Sequence, residues 1–233
     1  LYGKYMNVDP KNPKMEGRDR LVCSKGHAGP AVYSVLAEKG FFPKSELLTL
    51  NQGGTSLPSH CDMNKTPGID MTAGSLGQGF SCAVGIALGS RIKKDGATIY
   101  AIIGDGESQE GQIWEAAMSA SGFRLGNLVA ILDNNHVQMC GPTDEIMCLG
   151  SPSKKFEAFG WKVISVDGHD FDQLIRALDS IPNTNDGVPT VIIADTVKGK
   201  GVSFMEGKCQ WHGGAPDAAQ MEQITKELGG GTL

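Results

Sequence analysis

Apolar residues along this chain fall into two kinds of block. Short unbroken runs, Thr98-Ile99-Tyr100-Ala101-Ile102-Ile103 and Leu128-Val129-Ala130-Ile131-Leu132, predict strands at 98–103 and 128–133. Such runs suit strands covered on both faces rather than one. Further strands are predicted at 162–166 and 190–196. Helical patterns are predicted at 28–39, at 44–50 after Pro43, and at 109–124, 151–159 and 170–180. Residues 76–94 form a longer predicted helix whose small residues Gly79, Ser81, Ala83, Gly85 and Ala87 allow close packing on a neighbour. A short helix at 221–228 runs into glycines at 229–231, which suggest a linker or frayed end. Residues 51–73 carry Gly, Pro, Asn and Asp throughout and read as a long loop, a feature that in a compact domain is usually functional. A second loop follows residue 133 and runs to about Gly150. Strands alternating with helices predict an α/β fold, a parallel sheet with helices on both faces.

Composition narrows this picture. At 233 residues the chain can bury the core of one α/β domain, read as 1–233 with a tail from about 215. The 32 glycines fall mainly between periodic segments, as tight βα and αβ turns require. Net charge is −5 with charges scattered and no basic stripe, which argues against nucleic acid or an anionic membrane as partner. No apolar run approaches the roughly 18–20 residues that span a bilayer. The first residues carry no signal-peptide pattern and no initiator methionine. Six cysteines show neither a CxxC pair nor zinc spacing, and read as reduced thiols of a cytoplasmic protein.

The chemistry gathers at two strand ends. Gly104-Asp105-Gly106 sets a carboxylate between glycines after the first apolar run, and Asn135 follows the second run. Two buried parallel strands, with a helix crossing between them, would each end in a hard oxygen ligand, at the edge where open α/β sheets bind ligands. Oxygen ligands with room for phosphate oxygens suit Mg²⁺, which rarely takes an all-protein cage. Gly106 leaves space for a phosphate to approach the backbone, and a helix from about Gln109 would aim its N-terminus at that anion. Together these point to a metal-diphosphate site. The run Gly74 to Gly79 lacks the lysine of a Walker A motif and does not fit GxGxxG, which excludes ATP and NAD.

The spacing from Gly-Asp-Gly to Asn134-Asn135 resembles the thiamine-diphosphate signature. Arg18-Asp19-Arg20-Leu21-Val22-Cys23-Ser24-Lys25-Gly26-His27-Ala28, Ala73-Gly74-Ser75-Leu76-Gly77-Gln78-Gly79 and Trp211-His212-Gly213 resemble transketolase motifs in transketolase order, over nearly the whole chain. The resemblance implies thiamine diphosphate and Mg²⁺ as cofactors. It implies Asp105, Asn135 and the Val137 carbonyl as metal ligands, Gly74 and Leu76 at the aminopyrimidine end, and Ser75 as a further cofactor-binding residue. It implies His27, His60 and His212 as histidines that line the channel to the thiazolium and handle protons or substrate hydroxyls. Glu110 matches a glutamate near the family's dimer interface, although a first-turn glutamate favoured by the helix dipole explains it nearly as well. Lys198 matches a lysine near the cofactor, with a solvated strand-end lysine as the alternative. His136 and His169 are read as surface or local packing residues. The activity implied is transfer of a two-carbon ketol unit from a ketose phosphate to an aldose phosphate, with the chemistry belonging to the cofactor.

Two family elements have no counterpart here: a Gly-His-Pro-Gly-type segment upstream of Arg18, and the catalytic glutamate of the pyrimidine-binding domain. The expectation is the N-terminal, diphosphate-binding subunit of a split transketolase. It would be active only with a C-terminal partner that carries that glutamate, as a heterotetramer. The α-subunit type of 2-oxo acid dehydrogenase E1 shares Gly-Asp-Gly but lacks Ser-Lys-Gly-His-Ala and Trp-His-Gly. A split deoxyxylulose-phosphate synthase is disfavoured by Pro58-Ser59-His60-Cys61-Asp62. A non-catalytic thiamine-diphosphate-binding subunit is opposed by the intact Asp105 and Asn135 pair.

Overall fold

The computed structural model describes residues 1–181 and 186–229. A five-stranded, all-parallel sheet runs in the order β1 (Arg20–Cys23), β2 (Ile99–Gly104), β3 (Leu128–Asn134), β7 (Thr190–Asp195), β6 (Lys162–Asp167). A two-stranded hairpin, β4 (Val137–Gln138) with β5 (Gly141–Pro142), stands beside it. The helices are α1 (Gly29–Lys39), α2 (Gln78–Lys93), α3 (Gly111–Gly122), α4 (Thr143–Met147), α5 (Pro152–Ala158), α6 (Phe171–Asp179) and α7 (Ala218–Glu227). Among the described residues, no helix is long and apolar enough to cross a membrane.

The two-residue period of a strand sorts the core onto two faces. Ile99, Ala101, Ile103, Leu128, Ala130 and Leu132 pack with α2 and α3 through Phe80, Ala83, Ala87, Ile113 and Ala117. Tyr100 and Val129 face the other way, toward Tyr33 and Leu36 of α1 and Leu57 of the long loop. Both faces of the central strands are therefore covered, which is why their sequences read as continuous apolar runs. Each fully buried Ile, Leu or Phe contributes about 1.5–3 kcal/mol.

The predicted strands and most helices appear within a residue or two of their expected bounds. The 44–50 segment is a 3₁₀ helix, Lys44–Thr49, and 51–73 contains no helix or strand. Differences concentrate near the strand ends. Arg20–Cys23, read only as part of a motif, is an edge strand whose four residues are too short to show a period. The 109–124 helix starts late: a 3₁₀ turn at Glu107–Gln109 precedes α3. The loop after residue 133 holds the β4–β5 hairpin and α4. α7 begins three residues before the expected 221, because Asp217 and Gln220 form a reciprocal capping box at its start. Gly230 and Gly231 of the terminal glycine run lie outside the described residues.

Candidate active site

The register of β2 and β3 pairs Gly104 with Asp133, so Asp105 leaves the sheet beside Asn134, the last residue of β3, and Asn135 follows it. Asp105 is 7% exposed. Its Oδ1 accepts the Gly106 N–H at 2.7 Å, and its Oδ2 accepts the His136 N–H. Burial raises its pKa, and these two backbone donors only partly offset that. Asn135 folds back so that its Oδ1 accepts the Val137 N–H at 3.1 Å, holding the approach to β4.

A second set of segments is woven against these strand ends. The Cys61 N–H donates to the Gly26 carbonyl at 3.3 Å, and the Ala73 N–H donates to the Cys61 carbonyl at 3.1 Å. A Cβ on Gly26 would lie 2.3 Å from the Ala73 carbonyl oxygen, so only glycine allows this crossing. The weave brings His27, His60 and Gly74 together from three distant stretches. His212 arrives on a 3₁₀ turn, Cys209–Trp211, anchored by the Trp211 Nε1–H on the Phe204 carbonyl at 3.0 Å.

These parts enclose a cavity of about 480 Å³ lined by His27, His60, Gly74, Leu76, Asp105, Gly106, Asn135, Val137 and His212, along with Lys25 and Glu107. Nine of the twelve predicted site residues thus share one wall. The other three stand off it. Ser75 is exposed beside Gly74. Glu110 is exposed at the N-cap of α3. Lys198 sits behind His212, its Nζ 3.2 Å from Nδ1, and lines an adjoining depression with Asp133 and Asn135.

One expectation needs correction, and the Gly106 reading gains a second reason. The part of 104–111 that faces the cavity is the Gly104–Glu107 turn, not the first turn of α3. The space a side chain would take at Gly106 belongs to Gln138, whose Cβ would be 2.9 Å from the added carbon. Glycine is therefore required there for packing against β4.

The histidines and lysines of the cavity shift one another's ionisation. The rings of His27 and His212 lie 5.0 Å apart and those of His27 and His60 6.5 Å apart. Desolvation, then the neighbouring His212, Lys25, His60 and Lys198, whose charge would oppose a second one, lower the pKa of His27 to about 4. His212 is lowered by desolvation and by Lys198 and Lys25. Lys198 is lowered by desolvation and by Lys25. Lys25 forms an ion pair with Asp133, which also accepts the Thr196 hydroxyl. Burial alone would raise the Asp133 pKa, yet Lys25 and these hydrogen bonds bring it below the ordinary value.

Lys25, Glu107 and Asp133 do not stand out in the sequence, although the first two sit inside or beside the transketolase-like motifs. His136 and His169 are local packing residues, as expected: His136 Nε2 lies 2.7 Å from Asp195 Oδ1, and His169 Nε2 accepts the Val197 N–H at 2.8 Å. All six cysteines are unbonded thiols. An open depression of about 530 Å³ at the ends of β6 and β7 contains none of the predicted site residues.

The chain matches the family described as transketolase, thiamine diphosphate binding domain, over residues 1–231. It is 55% identical to the 6-deoxy-6-sulfo-D-fructose transketolase subunit of Clostridium sp. (strain MSTE9), over 91% of this chain and 77% of that one. It is 42% identical to an apulose-4-phosphate transketolase subunit of Phocaeicola vulgatus, over 98% of this chain and 80% of that one. The crystal structure of the Pichia stipitis transketolase in complex with sedoheptulose 7-phosphate superposes with a TM-score of 0.91 at 30% identity. That match covers 98% of this chain, which spans only 35% of that longer enzyme.

Proposed function

The chain belongs to the transketolase family, and on that premise we propose that it is the thiamine-diphosphate- and Mg²⁺-binding subunit of a two-chain ketol transferase, completed by a C-terminal partner carrying the pyrimidine-binding domain. The observation that carries this reading is the convergence of Asp105, Asn135 and Val137 with His27, His60 and His212 over one cavity. The naming of two relatives of comparable length as transketolase subunits supports the two-chain arrangement, for which two copies of each chain is the proposed assembly.

The donor set fits the cofactor. Asp105 is a buried carboxylate met by two backbone N–H groups and, among the described residues, by no ion-pair partner. Among the described residues no three His, Cys, Asp or Glu side chains cluster as a self-sufficient metal site. A hard cation held by Asp105, Asn135 and the Val137 carbonyl would therefore draw the rest of its shell from diphosphate oxygens, as Mg²⁺ does. When bound, thiamine diphosphate supplies the nucleophilic C2 that carries a two-carbon unit from a ketose to an aldose.

The chain's own groups orient the ligand and manage protons. Lys25 and Lys198 present positive charge beside the diphosphate end. The Lys198 ammonium is a donor only, so His212 Nδ1 faces it as acceptor and the neutral ring keeps its proton on Nε2. His27 stays neutral at physiological pH because burial, and then its cationic neighbours, disfavour a charged ring, and it can accept a proton from a substrate hydroxyl. His60 shares that wall. Gly74, Ser75 and Leu76 are assigned to the aminopyrimidine end, and Glu110 to the contact with a neighbouring subunit.

The substrates proposed are a ketose and an aldose with a terminal anion. A sulfonate-bearing fructose is the first donor to test, since it is named for the 55%-identical relative; xylulose 5-phosphate is the second. The chain would be isolated with its native partner, Mg²⁺ and thiamine diphosphate, and assayed for ketol transfer. Activity in the complex and none in the chain alone is the expected result. Full thiamine-dependent turnover by the chain alone would sink the two-chain reading.

A further inference from the structure

α2 begins without a cap of its own. Its N-cap is Gly77, in the left-handed region at φ 82°, and no side chain of its own first turn accepts the free N–H groups. Uncapped helical donors in a buried setting are costly. Two residues from other segments satisfy them instead. Glu107 Oε1 accepts the Gly77 N–H at 2.8 Å, and Ser24 Oγ accepts the Phe80 N–H at 2.9 Å while donating its own proton to Glu107. Glu107 Oε2 also accepts the Gly104 N–H at 3.0 Å, one residue before Asp105. The carboxylate is 3% exposed and, among the described residues, forms no ion pair.

We infer that Glu107 is a positioning residue for the cofactor site: with Ser24 it caps α2 from outside the helix and fixes the three segments that carry His27, Gly74–Leu76 and Asp105 in one relative arrangement. This rests on the functional reading above. Each of the three segments meets a different part of the proposed ligand. Ser24 lies three residues before His27, Gly77 directly follows Leu76, and Gly104 directly precedes Asp105. A shift of one relative to the others would separate the metal end from the aminopyrimidine end. The packing leaves little slack, since a Cβ on Gly79 would lie 2.6 Å from Ser24 Cα. Three donors converge on one side chain, so an acceptor-only group is required. A glutamine would turn an NH₂ toward one of them, and an aspartate is one carbon short.

The test uses the partner-bound complex and two readouts. Amide hydrogen exchange at Gly77 and Phe80 reports the cap directly, and calorimetric titration with thiamine diphosphate and Mg²⁺ reports the site. Glu107→Gln is expected to speed exchange at both amides at least tenfold and to weaken cofactor affinity by a similar factor, while the far-UV spectrum is kept. Ser24→Ala, which leaves the carboxylate in place, is expected to change both in the same direction by a smaller factor and serves if the first variant does not fold. A lower melting temperature with exchange and affinity unchanged would show a merely structural group and overturn the proposal. If the wild-type complex bound no thiamine diphosphate, the functional reading would fall instead, and the exchange rates would still decide the cap.

Discussion

His27 lines the cavity with His60, His212, Lys25 and Lys198 as neighbours, and desolvation, then these neighbours, lower its pKa to about 4. Free histidine titrates near 6.5. Above that value the ring is neutral in folded and unfolded chains alike and contributes nothing to pH dependence. Between roughly 6.5 and 4 the unfolded chain binds a proton that the folded chain refuses, so folding stability falls as pH falls through that window. Removing the imidazole removes this term while leaving the carboxylate contributions common to both proteins. In urea melts across the window, wild type should therefore lose more stability than His27→Gln. Parallel curves would show that the ring is not held neutral by its neighbours. The same neutrality suits His27 to the acceptor role proposed for it at pH 7, since a ring already charged could take no proton.

Helices and strands show where sequence patterns stop being informative. β2 and β3 were legible because both faces are buried, leaving runs of five apolar residues with no polar interruption. Asp105 and Asn135 followed from those strand ends. β1 was not legible, since four residues carry no measurable period. Glu107, Lys25 and Asp133 were missed for a different reason: their roles come from partners 83, 108 and 30 positions away, which local spacing does not encode. α2 offers the sharpest contrast within one element. Gly79 is pressed against the Ser24 backbone, whereas Gly85 has no atom within 4 Å of an added Cβ. Gly79→Ala should force α2 off β1 and destabilise by about 1–3 kcal/mol. Gly85→Ala should stabilise by about 0.5–1 kcal/mol, because alanine loses less backbone entropy in a helix interior. Denaturant unfolding of the two variants checks both signs, and equal effects would contradict this packing of α2 on β1.

At the scale of the whole molecule, metal and cofactor should act as one ligand. The protein offers one buried carboxylate, one carboxamide and one backbone carbonyl at the proposed metal position, too few oxygens to complete an Mg²⁺ shell alone. The diphosphate in turn meets a wall that includes the Asp105 carboxylate, which would repel it until a cation intervenes. Each component therefore raises the affinity of the other, and that coupling is reciprocal. A ligand at a hundred times its Kd stabilises the folded state by about 2.7 kcal/mol, which for a domain of this size is a rise of about 5–10 °C in Tm. Mg²⁺ with thiamine diphosphate should produce such a rise, and either alone should fall well short of half of it. EDTA should reverse the effect, and Asp105→Ala should abolish it while leaving the ligand-free Tm close to wild type, because removing a buried carboxylate without a counter-ion offsets the two backbone hydrogen bonds lost with it. Thermal melts under these conditions settle the point. Additive shifts from the two components, or a full shift in Asp105→Ala, would mean that the cation is not held between this carboxylate and the diphosphate.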